Sequence, residues 1–189
     1  MTLFDVLVPS YVQVLGALSA WLDKAQTQKP GGEADAILTA RLAPDMFPLS
    51  TQVRFACVQA QEGVFRLLGR AFPDTIEILL NEGRNAAERP GSIADARVRI
   101  DETVRVVQAL AAEAFDIDPL TPIAHSLPSG MNIDLTAEGY ARDWALPQFY
   151  FHIVIAYAIL RSEGIDLGKA DYIAHMLPHI RPGTMPMPR

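Results

Sequence analysis

Residues 149–160, FYFHIVIAYAIL, constrain the fold more than any other segment, because all of them except His152 are apolar or aromatic. Pro147 suits the first turn of a helix here, and Gly164 suits the position just past its end. A helix that is apolar on all sides must be buried on all sides. At twelve residues the run is too short to span a bilayer, which takes about 20 residues. We therefore expect this segment, helix four, to lie inside a protein core.

Three further long helices are predicted by apolar side chains that recur every three or four residues. Thr2 and Asp5 are spaced as a capping box for helix one, and Pro9 must either kink this helix or mark its true start. The predicted bounds of helices one to three are about 3–25, 50–70 and 92–114. Shorter helices are predicted at about 33–42, 74–82 and 169–177.

The connection before helix four, residues 115–145, is long for a helical bundle and carries three prolines. Within it, Ile123–Leu127 and Asn132–Thr136 can pair as a short hairpin around Ser129 and Gly130. The predicted fold is therefore all-α, a four-helix bundle with a long crossover before helix four. Residues 1–177 form its single domain, and 178–189 are predicted to be a proline-rich extended tail.

Four packed helices bury only an inner stripe of each member, so the outer face of helix four needs a cover. Three covers are open: the 115–145 connection, the predicted helix that contains Tyr172 and Leu177, or a second subunit. The third predicts a homodimer, and the three do not exclude one another.

Charge and cysteine content limit the kinds of partner and the cell compartment that can be expected. The net charge is −6 and the basic residues are scattered, which predicts neither nucleic acid nor an anionic membrane as a partner. A single cysteine, Cys57, suits a reducing compartment. No basic residue precedes Lys24, so a secretory signal is not predicted. We therefore expect a cytoplasmic protein.

Two segments carry a family resemblance. One is Arg41–Leu49, RLAPDMFPL, followed by QVRFAC at 52–57. The other is Ala145–His152, ALPQFYFH, which continues through Ala156-Tyr157, Ile159–Arg161 and Gly168-Lys169 to Asp171-Tyr172. In this order they resemble a bacterial family of unknown function related to the DinB-like (YfiT-like) metalloenzyme superfamily. The resemblance implies a four-helix bundle with a long crossover, often dimeric.

In that superfamily a divalent metal is often held by one histidine near the start of helix two and two on helix four, spaced H-x-x-x-H. This sequence departs from that pattern. Helix two begins with Thr51, Gln52 and Arg54, and helix four carries only His152, with Gln148 and Ala156 four residues to either side. Zinc requires three or four donors. No metal or other cofactor is therefore expected, and His152 is the ligand if any metal binds.

His152 is the first candidate residue, either as a residual ligand or general base, or as a half-buried histidine with one hydrogen bond, such as one to a tyrosine hydroxyl. The candidate ligand-binding residues near helix two, helix four and the connection are Gln52, Arg54, Trp144, Tyr150, His152 and Tyr157. Arg54 binds an anion in one interpretation; in the other it pairs with an acid while Asp45 caps helix two.

Other candidates are weaker. A buried Cys57 is inert. His175 and His179 are four apart, but Pro178 should end a helix between them. The acidic residues fall on faces that look solvated; they are Glu33, Asp35, Glu62, Glu77, Glu82, Asp101 and Glu102.

The sequence thus favours a dimeric small-molecule-binding or non-catalytic bundle protein, with a pocket between helix two, helix four and the connection. The alternative is a metal- or thiol-dependent transferase with an altered ligand set around His152. A third hypothesis is a purely structural dimer module. No reaction or ligand can be named from the sequence.

Overall fold

The computed structural model describes residues 2–112, 117–127 and 129–184. Four long helices form a bundle: α1 (Leu3–Gln28), α3 (Leu49–Leu67), α5 (Ile93–Ala112) and α7 (Leu146–Ser162). They correspond in this order to the predicted helices one to four. The shorter helices are α2 (Glu33–Ala36), α4 (Asp74–Arg84), α6 (Ala137–Gly139) and α8 (Lys169–Tyr172). Two 3-10 segments cover Ile37–Thr39 and Ala174–His179, and a π-helical segment covers Tyr140–Ala145. The predicted helical bundle is confirmed.

The four long helices pack in a ring in which α3 contacts α7 and α5, and α1 contacts the same two helices from the opposite side. Helix α4 lies on the outside of α3. Gly63 lets Tyr11 of α1 approach closely, because a Cβ at this position would collide with the Tyr11 hydroxyl group. Glycine at this position therefore allows α1 and α3 to pack closely.

Helix α1 begins at Leu3, and the predicted capping box of Thr2 and Asp5 is present. The helix continues through Pro9, so the proline does not mark its start. By length and composition alone α1 would also suit a membrane span, as core helices of soluble proteins do. Its apolar stripe is buried against α5 and α7, which suits a core helix.

The predicted hairpin is present. Strand β1 (Pro122–Ser126) pairs antiparallel with β2 (Asn132–Thr136), with Ala124 opposite Asp134. Helix α5 starts one residue after Ser92, the predicted start of helix three, and the Ser92 hydroxyl accepts from the Asp95 backbone N–H. The predicted end of this helix near Ala114 and the last five residues of the tail lie outside the described residues.

Helix α7 is not buried on all sides. The C-terminal segment covers one flank, where the Tyr172 ring lies 5.9 Å from Trp21 and 6.4 Å from Tyr157. A stripe that includes Phe151 and Val154 remains 57% and 50% exposed. In the described part of the chain, the first two predicted covers therefore leave this stripe open.

Candidate functional site

Gln52 on α3 and His152 on α7 meet across the bundle. The Gln52 Oε1 atom lies 2.9 Å from His152 Nδ1, and both side chains are buried. The Gln52 amide group donates from Nε2 to the Phe47 carbonyl oxygen at 3.1 Å. Because that donor identifies Nε2, Oε1 is the acceptor and the His152 Nδ1 atom must carry the proton. The expected single hydrogen bond of His152 is present, with an amide rather than a tyrosine hydroxyl as its partner.

The other ring nitrogen of His152, Nε2, is then a lone-pair acceptor in the neutral imidazole. Among the described residues it has no hydrogen-bond partner. It is also not one of the fully buried polar atoms that lack a partner. The Nε2 atom therefore meets solvent, through the 8% of the residue that stays exposed.

Burial lowers the pKa of His152 from 6.5 to about 4, because the desolvated ring disfavours the charged form. The imidazole is thus neutral at pH 7. A general base works best when its pKa lies near the working pH, so this ring is a poor base at neutral pH. The geometry suits a fixed hydrogen-bond acceptor better than a proton shuttle.

Aromatic rings surround the exposed edge of His152. The centroids of the Phe55 and Phe151 rings lie 5.5 and 5.4 Å from the imidazole, both edge to face. Phe47 packs on Phe55 at 5.6 Å. Phe47 and Phe151 are more than half exposed. We name the surface formed by Phe47, Phe55, Phe151 and Val154 around His152 the aromatic face.

The donor set does not fit a metal ion of the superfamily type. His152 offers one lone pair, and its neighbour Gln52 already uses Oε1 on the ring. No group of three histidine, cysteine or acidic side chains that could hold a metal lies within 2–112, 117–127 and 129–184. A zinc site needs at least three such donors. That no metal binds stays a prediction.

The other predicted ligand-binding residues lie in separate places. Tyr157 packs on Trp21 at 5.4 Å, and Tyr150 packs on the buried Phe149 ring at 5.5 Å. Trp144 covers His125 of the hairpin at 4.5 Å. These aromatic residues form parts of the core and its edges. Only Gln52 joins His152 directly.

Arg54 lies on a different side of α3 and is 4% exposed. Its Nη1 atom donates to Ser50 Oγ at 2.8 Å, and its Nε atom lies 3.6 Å from Glu82 Oε2. The prediction that Arg54 pairs with an acid is confirmed. The prediction that Asp45 caps helix two is wrong, because Pro48 holds the cap position and no side chain caps it.

Glu82 was predicted to lie on a solvated face, and this prediction is wrong. It forms a two-pronged ion pair with Arg99 of α5, through its Oε1 and Oε2 atoms. Nothing in the sequence marks this pair, because α4 and α5 are joined by a loop whose path is set by packing. Asp35 also leaves the predicted face and accepts from the Ile93 backbone N–H at 2.8 Å.

Cys57 is fully buried, as predicted, and burial raises the pKa of its thiol to about 12. A thiol that stays protonated is a poor nucleophile and metal ligand. His175 lies in the 3-10 segment Ala174–His179, which contains Pro178, so the α-helical spacing with His179 does not form.

Two cavities lie on the side of α3 that faces α4 and α5. One of about 330 Å³ lies between α4 and α5, lined by Leu79, Val106 and Gln61. Another of about 370 Å³ is lined by Arg54, Arg89 and Gly91, among others. The pocket predicted between helix two, helix four and the connection is not one of these two.

The chain is similar to one family model and to solved structures. The family model for a domain of unknown function, DUF1993, matches residues 3–173. One solved structure is the crystal structure of a DinB family member protein from Shewanella denitrificans, whose sequence is 30% identical to that of this chain. The match covers 97% of this chain and 96% of that one, with a TM-score of 0.68. No curated protein matches.

Proposed function

We propose that this chain, which belongs to the DUF1993 family of unknown function and is related to the DinB-like superfamily, is a non-catalytic small-molecule-binding protein. The observation that carries the proposal is the hydrogen-bonded series Phe47 carbonyl, Gln52 amide, His152 ring. This series fixes the ring proton on Nδ1 and leaves Nε2 as an acceptor at the protein surface, while burial keeps the ring neutral.

The chemistry of the aromatic face suggests the ligand class. The Nε2 lone pair accepts a hydrogen bond, and the surrounding Phe47, Phe55 and Phe151 rings favour a flat apolar body. A neutral aromatic molecule with one O–H or N–H donor meets both demands. A charged ligand would have to lose its hydration shell beside apolar rings.

We further propose that the protein is a homodimer whose two aromatic faces meet. Phe151 and Val154 are at least half exposed, and Phe47 lies on the same face. Contiguous exposed apolar groups of this kind mark interaction sites. A two-fold interface places the same patch on both subunits. The second subunit would then close the open edge of His152 into a pocket.

Phenol and anisole test the ligand class, because they share a ring and only phenol carries a donor. We expect phenol at millimolar concentration to shift the His152 ring signals in NMR spectra, and anisole to do so at least about fivefold less. The Phe55 ring signals, followed in the wild type and in His152→Phe, should lose the discrimination between the two probes in the variant. The matched control is His179→Phe, on the C-terminal 3-10 segment. Equal shifts from both probes would contradict the proposal.

Light scattering tests the dimer. We expect a mass of twice 20.7 kDa, and a monomer for Phe151→Ser. Leu120→Ser, which removes a 70% exposed apolar side chain elsewhere, should remain dimeric. A monomeric wild-type protein at high concentration would overturn this part of the proposal.

Elemental analysis after incubation with zinc, nickel and manganese tests the alternative. We expect no stoichiometric metal. Stoichiometric metal that is lost in His152→Ala would favour a metal-dependent transferase with an altered ligand set.

A further inference from the structure

A second site is suggested by the cavity of about 370 Å³ between the first half of α3, the end of α4 and the start of α5. It is lined by charged side chains and is separate from the aromatic face. Three arginines and two acids line it: Arg54, Arg89, Arg99, Glu82 and Asp95. The hydrogen bonds that these groups already make decide what the cavity can still bind.

Arg54 has unused donors although it is nearly fully buried. Its Nε atom is buried without a hydrogen-bond partner, because Glu82 Oε2 lies 3.6 Å away, beyond hydrogen-bond distance. Its Nη2 atom makes no hydrogen bond within the described residues, whereas Nη1 binds Ser50. A buried guanidinium with unsatisfied N–H groups is costly, and burial lowers its pKa. The Arg54 side chain therefore favours an added acceptor.

The acids of the cavity are already engaged. Both carboxylate oxygens of Glu82 bind the Arg99 guanidinium. Asp95 Oδ2 accepts from the Ser92 backbone N–H at 2.9 Å and from the Ser92 hydroxyl at 2.8 Å, which caps α5. These hydrogen bonds hold the pKa of Asp95 below its usual value. The unpaired groups in the described part of the cavity are thus Asp95 Oδ1 among the acids and the N–H donors of Arg54 among the bases.

Arg89 adds a second free guanidinium at the rim. Its side chain is exposed and has no ion-pair or hydrogen-bond partner in the described part of the chain. Gly91 leaves space beside Arg54, since a Cβ there would lie 3.0 Å from Arg54 Nη2 and 3.3 Å from Asp95 Oδ2. Its φ of +71° is also a conformation that favours glycine.

We propose that this cavity is a binding site for a small oxyanion, a phosphate or carboxylate group, held between Arg54 and Arg89. Arginine donors match two oxygens of such a group at once. The site does not depend on the aromatic face or on dimerisation, so it can be tested separately.

The Arg54 Nε–H signal in proton–nitrogen NMR spectra gives a direct readout, assigned by its loss in Arg54→Lys. Inorganic phosphate and succinate are titrated separately into the full chain, with chloride keeping the ionic strength constant. We expect a saturable shift with at least one of them. Saturation by phosphate alone, succinate alone or both identifies the group that the site prefers.

Arg89→Ala should weaken the binding about tenfold or more, since it removes half of the anion's partners. The matched control is Arg84→Ala, a 51% exposed arginine of α4 outside the cavity lining, and its affinity should stay within about twofold of wild type. Three results would each overturn the proposal: no saturable shift with either anion, the same shift with chloride alone, or wild-type affinity in Arg89→Ala.

Discussion

Two buried polar groups lie two residues apart on α3, and their hydrogen bonding differs. Gln52 faces α7, where its amide meets both the Phe47 carbonyl and the His152 ring. Arg54 faces α4 and α5, where it has one hydrogen bond and one ion pair at 3.6 Å, beyond hydrogen-bond distance. Residues two apart on a helix point to nearly opposite sides, so these two side chains contact different parts of the protein.

The difference concerns which groups are left for a ligand. Around Gln52 the protein completes its own hydrogen bonds and leaves a single neutral acceptor, His152 Nε2. Around Arg54 it leaves charged donors unsatisfied. The first region suits an uncharged donor among aromatic rings, and the second suits an oxyanion.

The largest effect that would sharpen this comparison is the pH dependence of stability contributed by His152. Its pKa falls from 6.5 to about 4 on folding, so below pH 6.5 the unfolded chain takes up a proton that the folded chain does not. The free energy of unfolding should retain this contribution in full above pH 6.5 and fall by roughly 3 kcal/mol as the pH drops to about 4. Urea unfolding across this range measures it.

Because the pKa of His125 is also lowered by burial, the contribution of His152 is read as the difference between wild type and His152→Phe. A difference that does not change between pH 6.5 and 4 would mean that the His152 ring is protonated or hydrated in the folded protein.

A smaller loss is expected from Gln52→Leu. The leucine leaves the buried His152 Nδ1–H and the Phe47 carbonyl unpaired, which should cost about 2 kcal/mol in the free energy of unfolding. Gln13→Leu, on an exposed face of α1, should stay within about 0.5 kcal/mol of wild type. Equal stabilities of the two variants would show that the hydrogen-bonded series is not structural.

The smallest effect is expected from Arg54→Met. Methionine keeps the apolar stem and removes a guanidinium that is poorly paired, while Glu82 retains Arg99. The free energy of unfolding should change by less than about 1 kcal/mol in urea unfolding. A loss of about 3 kcal/mol or more would instead indicate that Arg54 is fully satisfied, and would make the two regions alike.

The long helices and the hairpin could be predicted because their signals are local. The Thr2–Asp5 capping box, the apolar stripes and the turn at Gly130 each act within a few residues. The sequence predicts that helix four is buried on all sides, and the exposed Phe151 shows that this is wrong. Periodicity measures the apolar character of a helix face, not whether neighbouring elements cover that face.

The site could be predicted only in part. His152 stands out as the one residue of 149–160 that is neither apolar nor aromatic, and Gln52 is one of three polar residues at the start of helix two. That the two meet at 2.9 Å depends on the register of α3 against α7, which no local pattern gives. The unsatisfied donors of Arg54 depend likewise on Glu82 binding Arg99 from another helix.

Nitrogen NMR of the His152 ring at pH 7, with and without one equivalent of Zn²⁺, is the most direct test of the neutral acceptor at the protein surface. We predict a neutral ring protonated at Nδ1, with signals that zinc leaves unchanged. A proton on Nε2, or a zinc-dependent shift of Nε2 that saturates at one equivalent, would contradict a non-metal, non-catalytic site.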